Sequence, residues 1–181
     1  MTFAIAPGNR ILSSEDLRRA KVPRTEFPKL KRNPITVVLD RVRQNYNIGA
    51  IFRLCDAFMI ERLIVGGTTV ELHKRKLVQA ARGAQRWVPW EATGSSLAAV
   101  TAAKAGGSRI IVVEQASTGV PPEDLSPSFP VCLVLGSESD GVSQEIIDLA
   151  DATVTIPMLG MANSINVASA AAIMLYQLSK K

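Results

Sequence analysis

Three segments of the sequence combine glycines with polar side chains that could bind a ligand. They span residues 45–53, 135–141 and 156–166, and are called the first, second and third segments below. Each follows an apolar run typical of a β-strand, which is where an α/β sheet usually places its ligand. Five of their side chains could position a substrate or stabilise charge, and we take them as the candidate catalytic residues: Asn47, Arg53, Glu138, Ser164 and Asn166.

Each of these candidates also has a purely structural interpretation. Arg53 could be an ordinary arginine on a helix surface, and Glu138 could be a carboxylate in the first turn of a following helix. Ser164 and Asn166 lie where a helix is expected to begin, so either could be its N-cap. Neither GxGxxG nor GxxxxGK[ST] occurs in the chain, so a nucleotide-like ligand would be held without the usual phosphate loops.

The composition indicates one folded domain without metal or disulfide chemistry. The chain has 181 residues, of which 47% are hydrophobic and 20% charged, enough to bury a sizeable core. The chain has only two cysteines, Cys55 and Cys132, and one histidine, His73. These numbers are too small for a disulfide framework, for a zinc site built from cysteines or for one that needs two histidines. No stretch approaches the roughly 18 apolar residues of a membrane span, and residues 1–10 lack the pattern of a signal peptide. We therefore expect a cytoplasmic protein with no bound metal and no membrane contact.

The positive charge is concentrated in the first part of the chain. Residues 1–109 hold nineteen Lys and Arg against eight Asp and Glu, a balance of +11, whereas residues 110–181 hold two against eight, a balance of −6. The basic residues are densest over 18–43 and 73–76, with Arg82 and Arg86 nearby. Such stretches can attract a polyanion, although they can also be solvated faces and a mobile tail.

The elements that must position these residues alternate between strands and helices. Strands are predicted at 35–39, 62–65, near 87–91, and at 109–113, 131–135 and 152–157. Helices are predicted at 47–60, 76–84, from an N-cap at Ser95 to a stop at Gly106, and at 142–150 and 163–178. Near-continuous apolar strands separated by helices favour an α/β domain with a parallel sheet covered on both faces.

The last predicted helix, residues 163–178, is apolar almost all the way round. A helix of this kind must be covered on every side. Either a partner subunit covers it or it lies at the centre of its own domain, and the pattern leaves both interpretations open.

Together, the three segments resemble the three motifs of the SpoU (TrmH-like) family of RNA ribose 2′-O-methyltransferases in the SPOUT superfamily. The first matches N-x-G-x-x-x-R through Asn47 and Arg53, and the second matches a Gly-x-Glu-x-x-Gly turn around Glu138. The third matches I-P-M-x-G-x-x-x-S-x-N-V, which begins at Ile156. The chain departs from the family pattern at Ser139, where glycine is common.

The resemblance implies a methyltransferase that uses S-adenosylmethionine to methylate a ribose 2′-hydroxyl of tRNA or rRNA. It further implies a homodimer through the C-terminal helix and a trefoil knot, with residues 1–34 as a basic N-terminal arm and 35–181 as the catalytic domain. The cofactor would bind largely through backbone groups of the second and third segments. The residues implied to bind it are Leu135, Gly136, Ile156, Met158, Ser164, Ile165 and Asn166.

The roles implied for the catalytic residues follow from the same resemblance. Arg53 would hold the RNA phosphate and stabilise the developing alkoxide, or act as the base with help from that phosphate. Asn47 would orient the substrate or Arg53, and Glu138 would anchor an Asn or Arg side chain across the site. Ser164 and Asn166 would offer hydroxyl and amide groups to ribose and cofactor. An RNA-binding or assembly factor that has the fold but no turnover is the alternative, and the presence of all five polar residues favours the enzyme.

Overall fold

The computed structural model describes residues 11–71 and 73–180. The chain divides into two compact units, residues 1–31 and 32–181. The first unit contains helix α1 (Ser14–Arg19) and a 3₁₀ turn at Phe27–Lys29. Ser13 and Asp16 form a capping box at the start of α1, in which each side chain accepts the other residue's backbone N–H. Residues 1–10, which belong to the predicted basic arm and include the stretch without a signal-peptide pattern, lie outside the described residues.

The second unit is built on a six-stranded parallel sheet in the order β3-β2-β1-β5-β4-β6. Its strands are β1 (Asn33–Asp40), β2 (Ile60–Gly66), β3 (Trp90–Thr93), β4 (Arg109–Val113), β5 (Val131–Gly136) and β6 (Ala152–Val154). Strands β1 and β5 lie at the centre; from Ile35 onward β1 is buried except at Thr36, and β5 is buried up to Leu135. This confirms the parallel α/β fold predicted from the apolar runs; the trefoil knot stays a prediction.

Helices cover both faces of this sheet. They are α2 (Asn45–Ala57), α3 (Arg75–Ala81), α4 (Ser96–Ala105), α5 (Gln144–Ile147) and α6 (Val167–Ser179). Val37 and Leu39 of β1 point into a core shared with α2, α3 and α6, whereas Val38 points into a second core with α4 and α5. The period-2 alternation of side chains along a strand therefore explains why one apolar run supplies both cores.

Several element boundaries differ from the sequence predictions. Ser95 caps α4 as predicted, because its hydroxyl accepts the Ala98 N–H at 3.1 Å. The third strand begins at Trp90 instead of near residue 87, because a 3₁₀ turn at Ala84–Arg86 precedes it. Helix α6 begins at Val167, four residues later than predicted, so residues 163–166 form a loop.

Helix α6 has one covered face and one open stripe. Its Val167, Ala171, Met174 and Leu175 side chains are buried within this chain. Ile173 and Tyr176 remain 40% and 57% exposed, respectively. The expectation that a partner covers α6 therefore applies only to the stripe that contains these two residues.

The two cysteines are structural. Cys55 and Cys132 are buried and unpaired with each other, and burial raises the pKa of both thiols, that of Cys132 to about 12. Both therefore stay protonated at neutral pH and are poor nucleophiles. Over residues 11–71 and 73–180, no cluster of three His, Cys, Asp or Glu side chains could hold a metal ion, and no helix could cross a membrane.

Candidate active site

A cleft of about 740 Å³ opens at the carboxyl ends of β4 and β5. Its floor is formed where β5 ends, at Leu135 and Gly136, and its walls come from the second and third segments. Of the residues predicted to bind a cofactor, six line this cleft: Leu135, Gly136, Ile156, Ser164, Ile165 and Asn166. Met158 is half-buried and lies outside the lining. The topology thus brings the second and third segments to one concave surface.

A chain of hydrogen bonds joins all three segments below this cleft. Asn47, which is only 1% exposed, donates from Nδ2 to Oε1 of Glu138. The Asn47 Oδ1 accepts from Nδ2 of Asn166 at 3.0 Å. Asn166 in turn caps α6, since its Oδ1 accepts the Ala168 N–H at 2.9 Å. Asn47 therefore holds one residue from each wall of the cleft in a fixed position.

The second segment forms a tight turn that depends on two glycines. Ser137 and Gly141 exchange backbone hydrogen bonds of 3.1 Å in each direction. A Cβ on Gly136 would collide with the backbone of Gly141, and Gly141 itself has φ of +67°. Ser139 has no positive φ, and its hydroxyl donates to Asp140 at 2.9 Å. The departure from the family pattern at Ser139 is therefore accommodated, because the turn needs its special backbone conformation at position 141.

Asp40, at the end of β1, fixes this turn from the other side. It is 1% exposed, and its carboxylate accepts the Ser96 hydroxyl and, at 2.8 Å, the Ser143 N–H. Burial alone would raise the pKa of Asp40, but the hydrogen bonds from Ser96 and Ser143 and the nearby Arg41 guanidinium hold it below its usual range. Asp40 therefore ties the central strand to both α4 and the segment after the turn.

We expect the stability that Asp40 supplies to be lost in acid. Because the folded-state pKa is lowered, this contribution is present above the unfolded-state pKa of about 3.9 and is lost as the pH falls through the folded-state value. Asp40→Asn should lower the free energy of unfolding by about 1–3 kcal/mol at pH 7. Urea unfolding of both proteins at pH 7 and pH 3 should show this difference shrinking in acid. The exposed control Asp124→Asn should change little at pH 7, and a pH-independent deficit in Asp40→Asn would contradict the assignment.

Arg53 lies apart from the cleft. It is exposed on α2, and it forms no hydrogen bond or ion pair with the described residues. It lies six positions after Asn47 along α2, which places the two side chains about 120° apart around the helix axis. Asn47 therefore faces the second segment, whereas Arg53 points elsewhere. Within one chain, the structure does not bring the five candidate catalytic residues together.

The sequence analysis missed Asp40 and Glu114. Each lies at the carboxyl end of an apolar run, and each uses its carboxylate to accept a backbone N–H near the second segment, as Glu114 does from Val142 at 3.0 Å. The rule that selected the three segments would have selected these two residues as well, had it been applied to single charged residues at strand ends.

Comparison with known proteins identifies the family. The sequence model of the SpoU rRNA Methylase family matches residues 34–176. The chain therefore belongs to that family, and the resemblance drawn from the three segments is confirmed.

Relatives with named activities modify RNA. The tRNA (guanosine(18)-2′-O)-methyltransferase of Escherichia coli K12 is 30% identical over 152 residues, which cover 83% of this chain and 66% of that enzyme. The 23S rRNA (uridine(2479)-2′-O)-methyltransferase of Streptomyces viridochromogenes is 32% identical over 170 residues, 92% of this chain and 56% of the enzyme. The chain thus spans slightly less than two thirds of the first relative and just over half of the second.

Solved structures give the same fold. The TrmH/SpoU tRNA modifying enzyme of A. aeolicus has a TM-score of 0.78 at 29% identity, covering 92% of this chain and 82% of that one. The SpoU methyltransferase AviRb of Streptomyces viridochromogenes, in complex with the cofactor AdoMet, has a TM-score of 0.71 at 31% identity, covering 83% and 58%.

Proposed function

We propose that this protein transfers a methyl group from S-adenosylmethionine to a ribose 2′-hydroxyl of tRNA or rRNA. The observation that carries the proposal is the cleft at the ends of β4 and β5, whose two walls are linked through Asn47. The family membership and the activities of the relatives support it. A cytoplasmic location follows from such substrates.

The cleft suits an adenosyl cofactor. Its volume lies within the roughly 300–1,000 Å³ usual for small-molecule sites. Leu135, Ile156 and Ile165 offer apolar walls for an adenine, and the backbone of the half-buried Gly136 offers polar groups to its edge. Ser164 and Asn166 lie beside them. When bound, S-adenosylmethionine supplies the methyl group on a sulfonium, and the protein's task is to orient the ribose oxygen and to exclude water.

The distribution of polar side chains gives each candidate a different part in this proposal. Glu138 and Asn166 are held by Asn47, so Asn47 is a positioning residue that keeps the two walls at a fixed separation. The Ser164 side chain is exposed on the wall and can reach the substrate ribose. Arg53 supplies positive charge to the RNA phosphate and to the developing alkoxide.

A homodimer is part of the proposal, because Arg53 does not line the cleft of its own chain. The α6 stripe of Ile173 and Tyr176 is partly exposed, and the loop residues Leu159 and Met161 are 98% and 99% exposed. A second copy would cover such surface and could bring its Arg53 to the first chain's cleft. Helix α6 packs against α2, the helix that carries Arg53. An interface at α6 therefore lies next to the helix that carries Arg53.

RNA would approach along the same edge of the sheet. The strands are parallel, so the loops after β1 and β2 emerge at the same edge as the cleft. These loops and the start of α3 carry exposed basic residues, which include Arg43, Lys74, Arg75 and Lys76. A basic surface therefore flanks the cleft and suits a nucleic-acid phosphate backbone.

We expect the basic surface to determine the salt dependence of RNA binding. Replacing Lys74, Arg75 and Lys76 together with alanine should reduce the slope of log affinity against log salt by about 0.7–0.9 for each phosphate that the variant no longer neutralises. Filter binding of tRNA across a salt series measures this slope. Replacing the exposed Lys104, on α4, is a control that should leave the slope unchanged; an equally unchanged slope in the triple variant would assign the three residues to solvent.

Calorimetric titration tests the proposed function most directly. We expect S-adenosylmethionine to bind with micromolar affinity and ATP to bind far more weakly, because the cleft is lined by carboxylates and has no phosphate loop. Incubation with tRNA or rRNA and mapping of 2′-O-methyl marks then tests transfer. ATP binding without S-adenosylmethionine binding would overturn the proposal, whereas cofactor binding without any methylated RNA would favour the silent RNA-binding factor.

A further inference from the structure

The cleft has an unusual charge for a protein whose net charge is +5. Three carboxylates line it, from Glu114, Glu138 and Asp140, whereas no Lys or Arg among the described residues does so. A site of this charge favours a cationic ligand over a neutral one of the same shape.

Glu114 is the best placed of the three to act on a bound ligand. Its own N–H donates to the Val154 carbonyl at 3.1 Å, which fixes its backbone between β4 and β6. Its carboxylate accepts the Gln115 N–H at 2.9 Å and the Val142 N–H at 3.0 Å, so the charge is fixed as well. Glu114 is half-buried, whereas Glu138 and Asp140 are exposed, so solvent screens its field least.

The turn leaves room for this carboxylate. A Cβ on Gly141 would collide with Oε2 of Glu114, so the glycine that the turn needs for its positive φ also creates the space that the carboxylate occupies. Two hydrogen bonds occupy two of the roughly four acceptor positions of a carboxylate, so Glu114 retains acceptor capacity.

We propose that Glu114 determines specificity by favouring the positively charged cofactor over its neutral-sulfur product, and this rests on the proposed function. Methyl transfer forms a C–O bond at the ribose oxygen, leaves the C–S electron pair on sulfur and releases the hydroxyl proton to water. The sulfonium thereby becomes a neutral thioether, so S-adenosylhomocysteine carries one positive charge fewer than S-adenosylmethionine. The cleft loses one attractive interaction at the moment of transfer, which promotes exchange of product for fresh cofactor.

The ratio of two dissociation constants tests this role. The quantity to be measured by calorimetry is the Kd of S-adenosylhomocysteine divided by that of S-adenosylmethionine, for the wild-type protein and three variants. Glu114→Gln removes the charge and should lower this ratio about threefold to tenfold, the range for one charge acting across several ångströms in a partly solvated site. Glu114→Asp keeps the charge and should keep the ratio near the wild-type value, even if both ligands bind more weakly. Glu123→Gln removes an exposed carboxylate outside the cleft and should leave the ratio unchanged.

A merely structural Glu114 gives a different result. If it only supports the turn, Glu114→Gln weakens both ligands equally and the ratio stays constant, which overturns the inference while the proposed function stands. Failure of the wild-type protein to bind S-adenosylmethionine would overturn the proposed function itself. Should Glu114→Gln not fold, the Kd ratio of the wild-type protein is compared at about 0.05 M and 0.5 M salt. Screening must lower this ratio if charge sets the preference, so an unchanged ratio would overturn the inference.

Discussion

Replacing Arg53 with alanine is expected to lower the rate of methyl transfer about a hundredfold or more, while the fold and the affinity for S-adenosylmethionine stay near wild type. Removal of one preorganised charge-stabilising group costs rates of this order. Arg53 is exposed and lies outside the cleft, so its loss disturbs neither the core nor the cofactor walls. Single-turnover methylation of a substrate RNA, beside calorimetric titration of the cofactor, separates the two effects.

Two further variants make this expectation sharper. Arg53→Lys should recover little activity, because lysine restores a point charge but not the planar fork that can hold phosphate and alkoxide together. Asn166→Ala is the contrasting case and should weaken cofactor binding as well as rate, because this residue lines the cleft and caps α6. Near-normal turnover in Arg53→Ala would remove Arg53 from the mechanism.

The second large effect is expected at α6, where neighbouring positions should respond differently. Ile173→Asp places a charge on the exposed stripe and should yield a folded monomer. Leu175→Asp places a charge at a fully buried position and should unfold the domain, because burial of an unpaired charge costs several kcal/mol. Analytical ultracentrifugation and circular dichroism distinguish the two outcomes.

The wild type and a matched variant control this experiment. Ser169→Asp changes another exposed position on α6 and should show whether charge near the start of the helix is tolerated. A wild-type protein that sediments as a monomer at micromolar concentration would contradict the proposed homodimer. A dimeric Ile173→Asp would move the interface away from this stripe.

Local patterns were sufficient for the sheet but not for the details of the site. The apolar runs of β1 and β5 are buried on both faces, so they were recognisable from hydrophobicity alone. Residues 163–166 also fit the start of a helix, because the residues that follow are apolar and Ser164 could cap the helix as well as Asn166 does. The tertiary hydrogen bond from Asn166 to Asn47, together with the cap that Asn166 forms on α6, shows that this residue belongs to the loop and not to the helix.

The site contacts could not be predicted for a related reason. Asn47 lies 91 residues from Glu138, and no periodicity reports on which side of α2 faces the second segment. The family resemblance supplied the polar residues as a set, but it did not indicate that Arg53 would lie away from the others. Asp40 and Glu114 were missed because each is a single carboxylate at the end of an apolar run, outside the three glycine-containing segments, and the backbone N–H groups that each accepts cannot be read from the sequence.

The hydrogen bonds through Asn47 have a consequence for how the protein acquires its site during folding. They connect residues 91 and 119 positions apart in the chain, so they close only after most of the sheet has assembled. Contacts of such separation form slowly, because the entropy of closing the intervening loops is lost before the contacts are made. A partly folded chain with native-like helices would therefore lack the cleft. Recovery of ligand binding during refolding should lag behind recovery of helical circular dichroism, which makes cofactor capture a reporter for the final, topology-dependent phase.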